Sequence, residues 1–391
     1  MVICTETMKI LVPSAALAAS VSVSLLLALQ PFQQVPIIQE RPPEARPTPR
    51  PTPRPTPKPT PPPFRAPKLL WKTFLKRLDG TPSALGTVVW TGAGSGLYQI
   101  DSGGRTLWSV DTGNQQSTPV YDDKRVFIGS DRNILYAVNR KTGQPAWQFK
   151  GEANGTILTT PAVAEGRVYA ESTDNNVYGL DAASGALKWK FTRQDGSLGY
   201  SSPVVSGGGL YVAGETTLYR LDPATGEETW KAPIGGKSLS TPAVADGRVF
   251  IGGDAAGLSA FDEKDGKLAW NFTGAAKNDW FGTPLVVGGT VYVTTYNRYV
   301  YAVDAKTGAK KWSYRLLGNA LNTPALDAPR NALYVTSTTF RDNPTITAID
   351  SRTGKKLWDF EAGYVAGDPI LSGDRLYVGS TNGYLYAFAI R

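Results

Sequence analysis

The sequence predicts an all-β chain closed into an eight-bladed β-propeller of four-stranded antiparallel blades, on three observations. One stretch, Leu135-Tyr-Ala-Val-Asn-Arg-Lys-Thr-Gly-Gln-Pro-Ala-Trp147, returns as Val177–Trp189, Leu218–Trp230, Leu258–Trp270, Val300–Trp312 and Ile346–Trp358, with a shorter first copy at Leu97–Trp108. Self-similarity at a period of about 40 residues identifies a repeat architecture before any local reading does. A dipeptide ending in Pro opens each unit, at Thr81, Thr118, Thr160, Ser202, Thr241, Thr283, Thr323 and Asp368. The unit that starts at Asp368 stops after its third strand, while an orphan Leu69-Leu-Trp71-Lys-Thr-Phe74 precedes the first dipeptide. Supplying the missing fourth strand from the N-terminal side completes eight blades. It also removes the open sheet edge that would otherwise invite association.

In chain order, residues 1–30 read as a signal sequence or membrane anchor: Ile10–Leu29 is mostly apolar, follows Lys9 and contains Pro13 and four Ser. Met8 offers an alternative start. Residues 31–68 form a basic, proline-rich linker, Arg46-Pro-Thr-Pro-Arg-Pro-Thr-Pro-Arg-Pro-Thr-Pro-Lys58 at its centre. Alternate prolines block helix and sheet and favour polyproline II, which would extend this linker over roughly 80 Å. Residues 69–391 are the propeller. In each unit a short apolar strand such as Ala162-Val-Ala164 leads through a tight turn, Glu165-Gly166 or Asp246-Gly247, into an alternating strand such as Arg248-Val-Phe-Ile-Gly252. The third strand carries the Leu-Tyr-Ala-Val run and the fourth carries the Trp. Period-two alternation, β-branched and aromatic enrichment and Gly/Asp/Asn turns specify meanders.

Charge and composition exclude several functions. The net charge of +8 lies in the N-terminal arm: residues 1–80 hold 11 Lys and Arg against 4 Asp and Glu, and the rest of the chain 30 against 29. A nearly neutral propeller is a poor phosphate binder, so no nucleic-acid partner is expected. His is absent and Cys4 is the only cysteine, which removes His/Cys metal sites, Cys–His pairs and Ser–His–Asp triads.

The repeated acid (Asp181, Asp222, Asp262, Asp304, Asp350, with Asn139 in the same place) sits eight residues before the Trp. Just ahead of a tight turn, such a side chain accepts backbone N–H bonds, and one copy per blade cannot converge on a site. These residues are expected to be structural.

The Ala-x-Asp-x-x-Thr-Gly-x-x-x-Trp pattern, whole in Ala302-Val-Asp304-Ala-Lys-Thr307-Gly308-Ala-Lys-Lys-Trp312, resembles the repeat of quinoprotein-like (PQQ-like) propellers. The resemblance implies that Trp71, Trp108, Trp147, Trp189, Trp230, Trp270, Trp312 and Trp358 dock between neighbouring blades. It implies that Gly143, Gly185, Gly226, Gly266, Gly308 and Gly354 make the turn before the last strand. The quinone-dependent dehydrogenases of this superfamily typically carry an adjacent-cysteine disulfide, a calcium or lanthanide site and large insertions. One cysteine outside the propeller and a longest repeat spacing of 46 residues depart from that pattern. Size, eight plain blades and an exported N-terminus instead resemble the BamB group of outer-membrane assembly scaffolds, although the lipoprotein cysteine usual after the signal sequence is absent here.

Strand alternation places the second-to-third and fourth-to-next-first loops on one face, and the long loops gather there. Binding candidates are Arg193 and Tyr200, then Asp279, Trp280 and Phe281, then Phe340 and Arg341. Aromatic and Arg anchors on loops held by a rigid scaffold are what binding faces use. Trp90, in a strand, is expected in the core. The reading is a non-catalytic, monomeric, cell-envelope scaffold, exported to the outer side of the bacterial cytoplasmic membrane and either anchored or secreted. It would bind an envelope protein through its loop face and carry no cofactor. The alternative is a receptor for a small molecule, quinone or glycan, in the axial funnel, and a PQQ-dependent dehydrogenase is the third.

Overall fold

Each repeat contributes four strands, and one sheet of that kind has two apolar faces that only neighbouring sheets can cover. The computed structural model describes residues 67–76, 78, 80–114, 117–152, 155–196, 201–274, 279–338, 345–361 and 367–390. The apolar N-terminal segment and the proline-rich linker lie outside them. Among the described residues there are 32 strands and no helix, arranged as eight four-stranded antiparallel sheets. Seven sheets follow chain order. The eighth is Lys68–Phe74 (β1) paired with Tyr384–Ala389 (β32), followed by Arg375–Gly379 (β31) and Ile370–Ser372 (β30). Trp71 lies opposite Ala387 and Phe74 opposite Tyr384, so the chain closes the ring with its two ends, as the repeat count requires.

Burial follows position in the blade. Second strands such as Arg167–Glu171 are buried along nearly their whole length, and fourth strands such as Lys310–Arg315 alternate. The second strands were expected to alternate in exposure. They do not, because both faces of every blade pack against a neighbour. First strands of adjacent blades meet around the axis. There residues before a blade-opening Pro link blades: the Thr160 N–H donates to Ser202 Oγ, Ser202 to Thr241 Oγ1 and Thr241 to Thr283 Oγ1, each at 3.0 Å. Thr323 donates to Asp368 Oδ1 at 2.8 Å, and Asp368 to Thr81 Oγ1 at 2.9 Å across the closure. Desolvation pushes the Asp368 carboxyl up to about 6 against the pull of these Thr323 bonds.

The outer joints follow the repeat. The indole N–H of Trp147 donates to the Ala182 carbonyl of the next blade, Trp189 to Pro223, Trp230 to Glu263, Trp270 to Ala305, Trp312 to Ser351 and Trp71 to Ser102, at 2.9–3.2 Å. The turn acids behave as caps. Asp222 Oδ1 accepts the N–H groups of Ala224 and Thr225, and those bonds hold its carboxyl below the usual range. Asn139 accepts from Lys141 and Thr142 in the same way, so it replaces Asp without loss of the turn.

The turn glycine has a second duty. A Cβ on Gly185 (φ +74°) would lie 2.6 Å from the Trp147 ring of the preceding blade, whereas one on Gly166 (φ +74°) would meet nothing within 4 Å. Gly166→Ala is therefore expected to cost about 1–2 kcal/mol, the left-handed backbone alone. Gly185→Ala should cost about 1–3 kcal/mol more, from the clash at a packed joint. Denaturant unfolding of the two variants side by side checks the difference.

Candidate functional site

The loop face is set by backbone pairing at one end of each blade. The residue leaving the fourth strand donates to the turn between strands two and three: Arg193 N–H to the Asn175 carbonyl, Ile234 to Thr216, Leu316 to Arg298. The opposite face carries the tight turns, where Ala182 donates to Gly166 and Glu263 to Gly247. The polypeptide enters β1 from this tight-turn end.

Three of the residues expected to anchor a partner are not presented to one. The Arg193 guanidinium is fully buried, paired with Glu171 and donating to the Ser172 carbonyl at 2.8 Å. The reason is positional. Where the other blades have Leu75, Ile234 or Leu316 after strand four, and Ala93, Gly129 or Ala213 at the end of strand two, this blade has Arg193 and Glu171. Desolvation pushes the Glu171 carboxyl up to about 7, against the attraction of the Arg193 charge and its hydrogen bond. Comparing these two positions across the blades would have revealed the pair.

Asp279 is 6 % exposed and accepts the Asn297 N–H at 3.0 Å, and burial pushes its carboxyl up. Phe281 is 1 % exposed, stacked on Tyr301 and edge-on to Phe272. Both residues fix the loop to the body, leaving neither side chain on the binding surface. Trp90 is in the core, as expected. Tyr200, Phe340 and Arg341 lie outside the described residues.

Trp280 is half-buried, and its carbonyl accepts the Tyr296 N–H at 3.0 Å. Tyr296 is 49 % exposed and Leu317 60 %. Arg298, exposed beside them, donates to Asn319 Oδ1 at 3.4 Å and to the Leu317 carbonyl at 3.5 Å. Blade six thus brings together Trp280, Tyr296, Arg298 and Leu317 on three loops joined by backbone bonds. Sequence reading found only the first. The available signal was Tyr296 at a turn tip, where blades two and three have Asp131-Arg-Asn133 and Thr173-Asp-Asn175. The arrangement offers an apolar and aromatic surface with one cation and no reacting group. Among the described residues no group of three or more His, Cys, Asp or Glu could hold a metal ion.

A family model described as outer membrane protein assembly factor BamB matches residues 93–205, 192–281 and 278–391. The chain belongs to this PQQ-like, BamB-type propeller family. Within the family, it is 30% identical to the outer membrane protein assembly factor BamB of Yersinia pestis over 190 residues, 46% of this chain and 47% of that protein. The match therefore spans about half the length of this curated relative. A tetrathionate hydrolase of Acidithiobacillus ferrooxidans is 26% identical over 386 residues, 83% of this chain and 66% of that protein. Proteins named as enzymes thus stand beside assembly factors among the relatives. The crystal structure of BamB from Moraxella catarrhalis superposes with a TM-score of 0.72 at 17% identity, covering 83% of this chain and all of that one. At that identity the likeness is one of fold.

Proposed function

We propose that the chain is a non-catalytic scaffold of the bacterial cell envelope that docks a protein partner through the loop face of blade six, as a BamB-type assembly factor would. The observation that carries this reading is the exposed Trp280–Tyr296–Arg298–Leu317 cluster, held by the Tyr296-to-Trp280 and Leu316-to-Arg298 backbone bonds. Trp, Tyr and Arg are the residues that dominate interface energies, and the two aromatic rings lose little entropy on binding. Kinship to the assembly factors supports an envelope partner. The apolar stretch Ile10–Leu29 and the basic, proline-rich linker would export and tether the propeller from its tight-turn end, leaving the loop face free.

The test is crosslinking in intact envelopes with the full chain, followed by affinity capture. Trp280→Ala combined with Tyr296→Ala is expected to lower recovery of the crosslinked partner at least about 30-fold, the loss of one or two hot spots. Tyr296 is exposed and Trp280 only half-buried, so the variant is expected to fold, and unfolding midpoints measured alongside separate lost docking from lost stability. Equal recovery by parent and variant would overturn the docking face.

A further inference from the structure

Arg298 stands in a backbone conformation that suits it poorly. Its φ is +71°, in the left-handed region where the Cβ of most residues crowds the following carbonyl. The same place in the turn between strands two and three is held by Asn133 (φ +58°) in blade two, Asn175 (φ +71°) in blade three and Gly383 (φ +90°) in blade eight. In blades three, six and eight the N–H of that residue closes the turn alike, on the carbonyls of Ser172, Thr295 and Ser380. Asn and Gly are the residue types that enter this region most readily, so the turn itself gives no reason for Arg.

The guanidinium adds little to the fold. Its bonds to Asn319 and the Leu317 carbonyl, at 3.4 and 3.5 Å, lie at the outer limit of hydrogen bonding. Arg330 and Arg352 are paired with Asp327 and Asp350, whereas exposed Arg298 has no carboxylate partner among the described residues.

Negative charge is scarce around it. In the described parts of the loops that carry Trp280, Arg298 and Leu317 the carboxylate is that of Asp279, buried and turned onto the Asn297 N–H. Arg315, exposed where strand four ends opposite Tyr299, adds a second positive charge. The backbone donors are taken: Tyr296 N–H by the Trp280 carbonyl, Asn297 by Asp279, Arg298 by Thr295 and Leu316 by Arg298. Capture of a chain terminus relies on free backbone N–H groups, and none of these four is free. A side-chain carboxylate needs only the guanidinium fork.

We propose that Arg298 sets the specificity of this face by pairing with an Asp or Glu side chain that the protein partner presents beside an apolar residue. The inference rests on the docking reading above and adds the chemistry of what is docked. The carboxylate meets the Arg298 fork, and the apolar neighbour packs on Tyr296, Leu317 and Trp280. An apolar segment without the acid would cover Arg298 and leave its charge unpaired. Backbone strain at an exposed residue that cheaper residue types could replace is the mark of a position kept for use.

The test uses the full chain in intact envelopes. Arg298→Lys places an amine where a zero-length carbodiimide can join it to a touching carboxylate, a reaction the guanidinium does not undergo. Fragment mass spectrometry is expected to map the new amide from position 298 to an Asp or Glu side chain of a protein, next to an apolar residue. Arg298→Asn, the residue of blades two and three, is expected to lower recovery of that protein at least about ten-fold when a photoreactive side chain in place of Asn297 makes the link. Its unfolding midpoint should stay at or above the parent's, because the left-handed strain is relieved. The proposal is overturned if Arg298→Asn recovers the partner as well as the parent does while Trp280→Ala with Tyr296→Ala loses it; the docking face then stands without the acid. It is overturned as well if the midpoint of Arg298→Asn falls below the parent's, if no amide forms at position 298, or if the amide leads to a lipid or glycan. Undiminished recovery by the Trp280→Ala, Tyr296→Ala variant removes the docking reading and this one with it.

Discussion

Arg193→Ala is expected to destabilise the propeller by about 3–5 kcal/mol, because it leaves the Glu171 carboxylate buried with its partner gone. Both side chains are at most 1 % exposed, and Glu171 Oε1 and Arg193 Nε have no other partner. The effect depends on pH. Desolvation raises the folded-state pKa of Glu171 from its ordinary 4.5 to about 7, so the folded state holds a proton that the unfolded chain has released. The contribution of this group to stability is therefore greatest below about 4.5, falls as pH rises through that interval and is flat above it. Without the guanidinium the folded pKa rises further. The deficit of Arg193→Ala should then grow between about pH 5 and pH 8.

Glu171→Ala combined with Arg193→Leu copies the uncharged residues of the other blades. It is expected to recover most of the loss, since a buried pair replaced by apolar groups is often neutral or better. Urea unfolding of the parent and the two variants at about pH 5 and pH 8 checks all of this. A single variant within about 1 kcal/mol of the parent would show that the pair is solvated in solution.

Trp312→Ala should cost about 3–5 kcal/mol, since it empties the joint between blades six and seven. The ring is 9 % exposed, packs 5.9 Å from Tyr292 and covers Gly354 of the next blade. Phenylalanine separates packing from hydrogen bonding. Trp312→Phe removes the N–H that meets the Ser351 carbonyl at 2.9 Å and should cost about 1 kcal/mol beyond the lost volume. Trp108→Phe removes an N–H without a partner, since Gln99 Nε2 donates to the Arg140 carbonyl at 3.1 Å in its place, so that increment should be absent or reversed. Unfolding midpoints of the two Phe variants against their Ala counterparts give the comparison. Equal increments at both joints would mean that Gln99 does not displace the Trp108 indole.

How far the sequence could be read depended on whether an interaction is local. The docking Trp, the capping acids and the turn glycines are each defined within one repeat and recur in register, so periodicity alone exposed them. Ring closure was also legible, because a missing Trp strand at one end and an orphan at the other leave one way to complete the count. Arg193 was misplaced because its partner lies 22 residues away on another strand, and a charged residue after a strand reads as a loop anchor until that partner is seen. The same holds for Asp279 and Phe281, drawn inward by Asn297 and Tyr301.

The sequence by itself determined the blade count, the strand order and the closure, since each follows from a pattern repeated eight times and any one copy can be checked against the rest. Tertiary structure decided what departs from the pattern. It placed Tyr296, Arg298 and Leu317 beside Trp280, buried Glu171 against Arg193, and gave the Arg140 carbonyl to Gln99. Those outcomes turn on which of several neighbouring groups reaches a given acceptor or patch of solvent first, and distance along the chain carries no information about that.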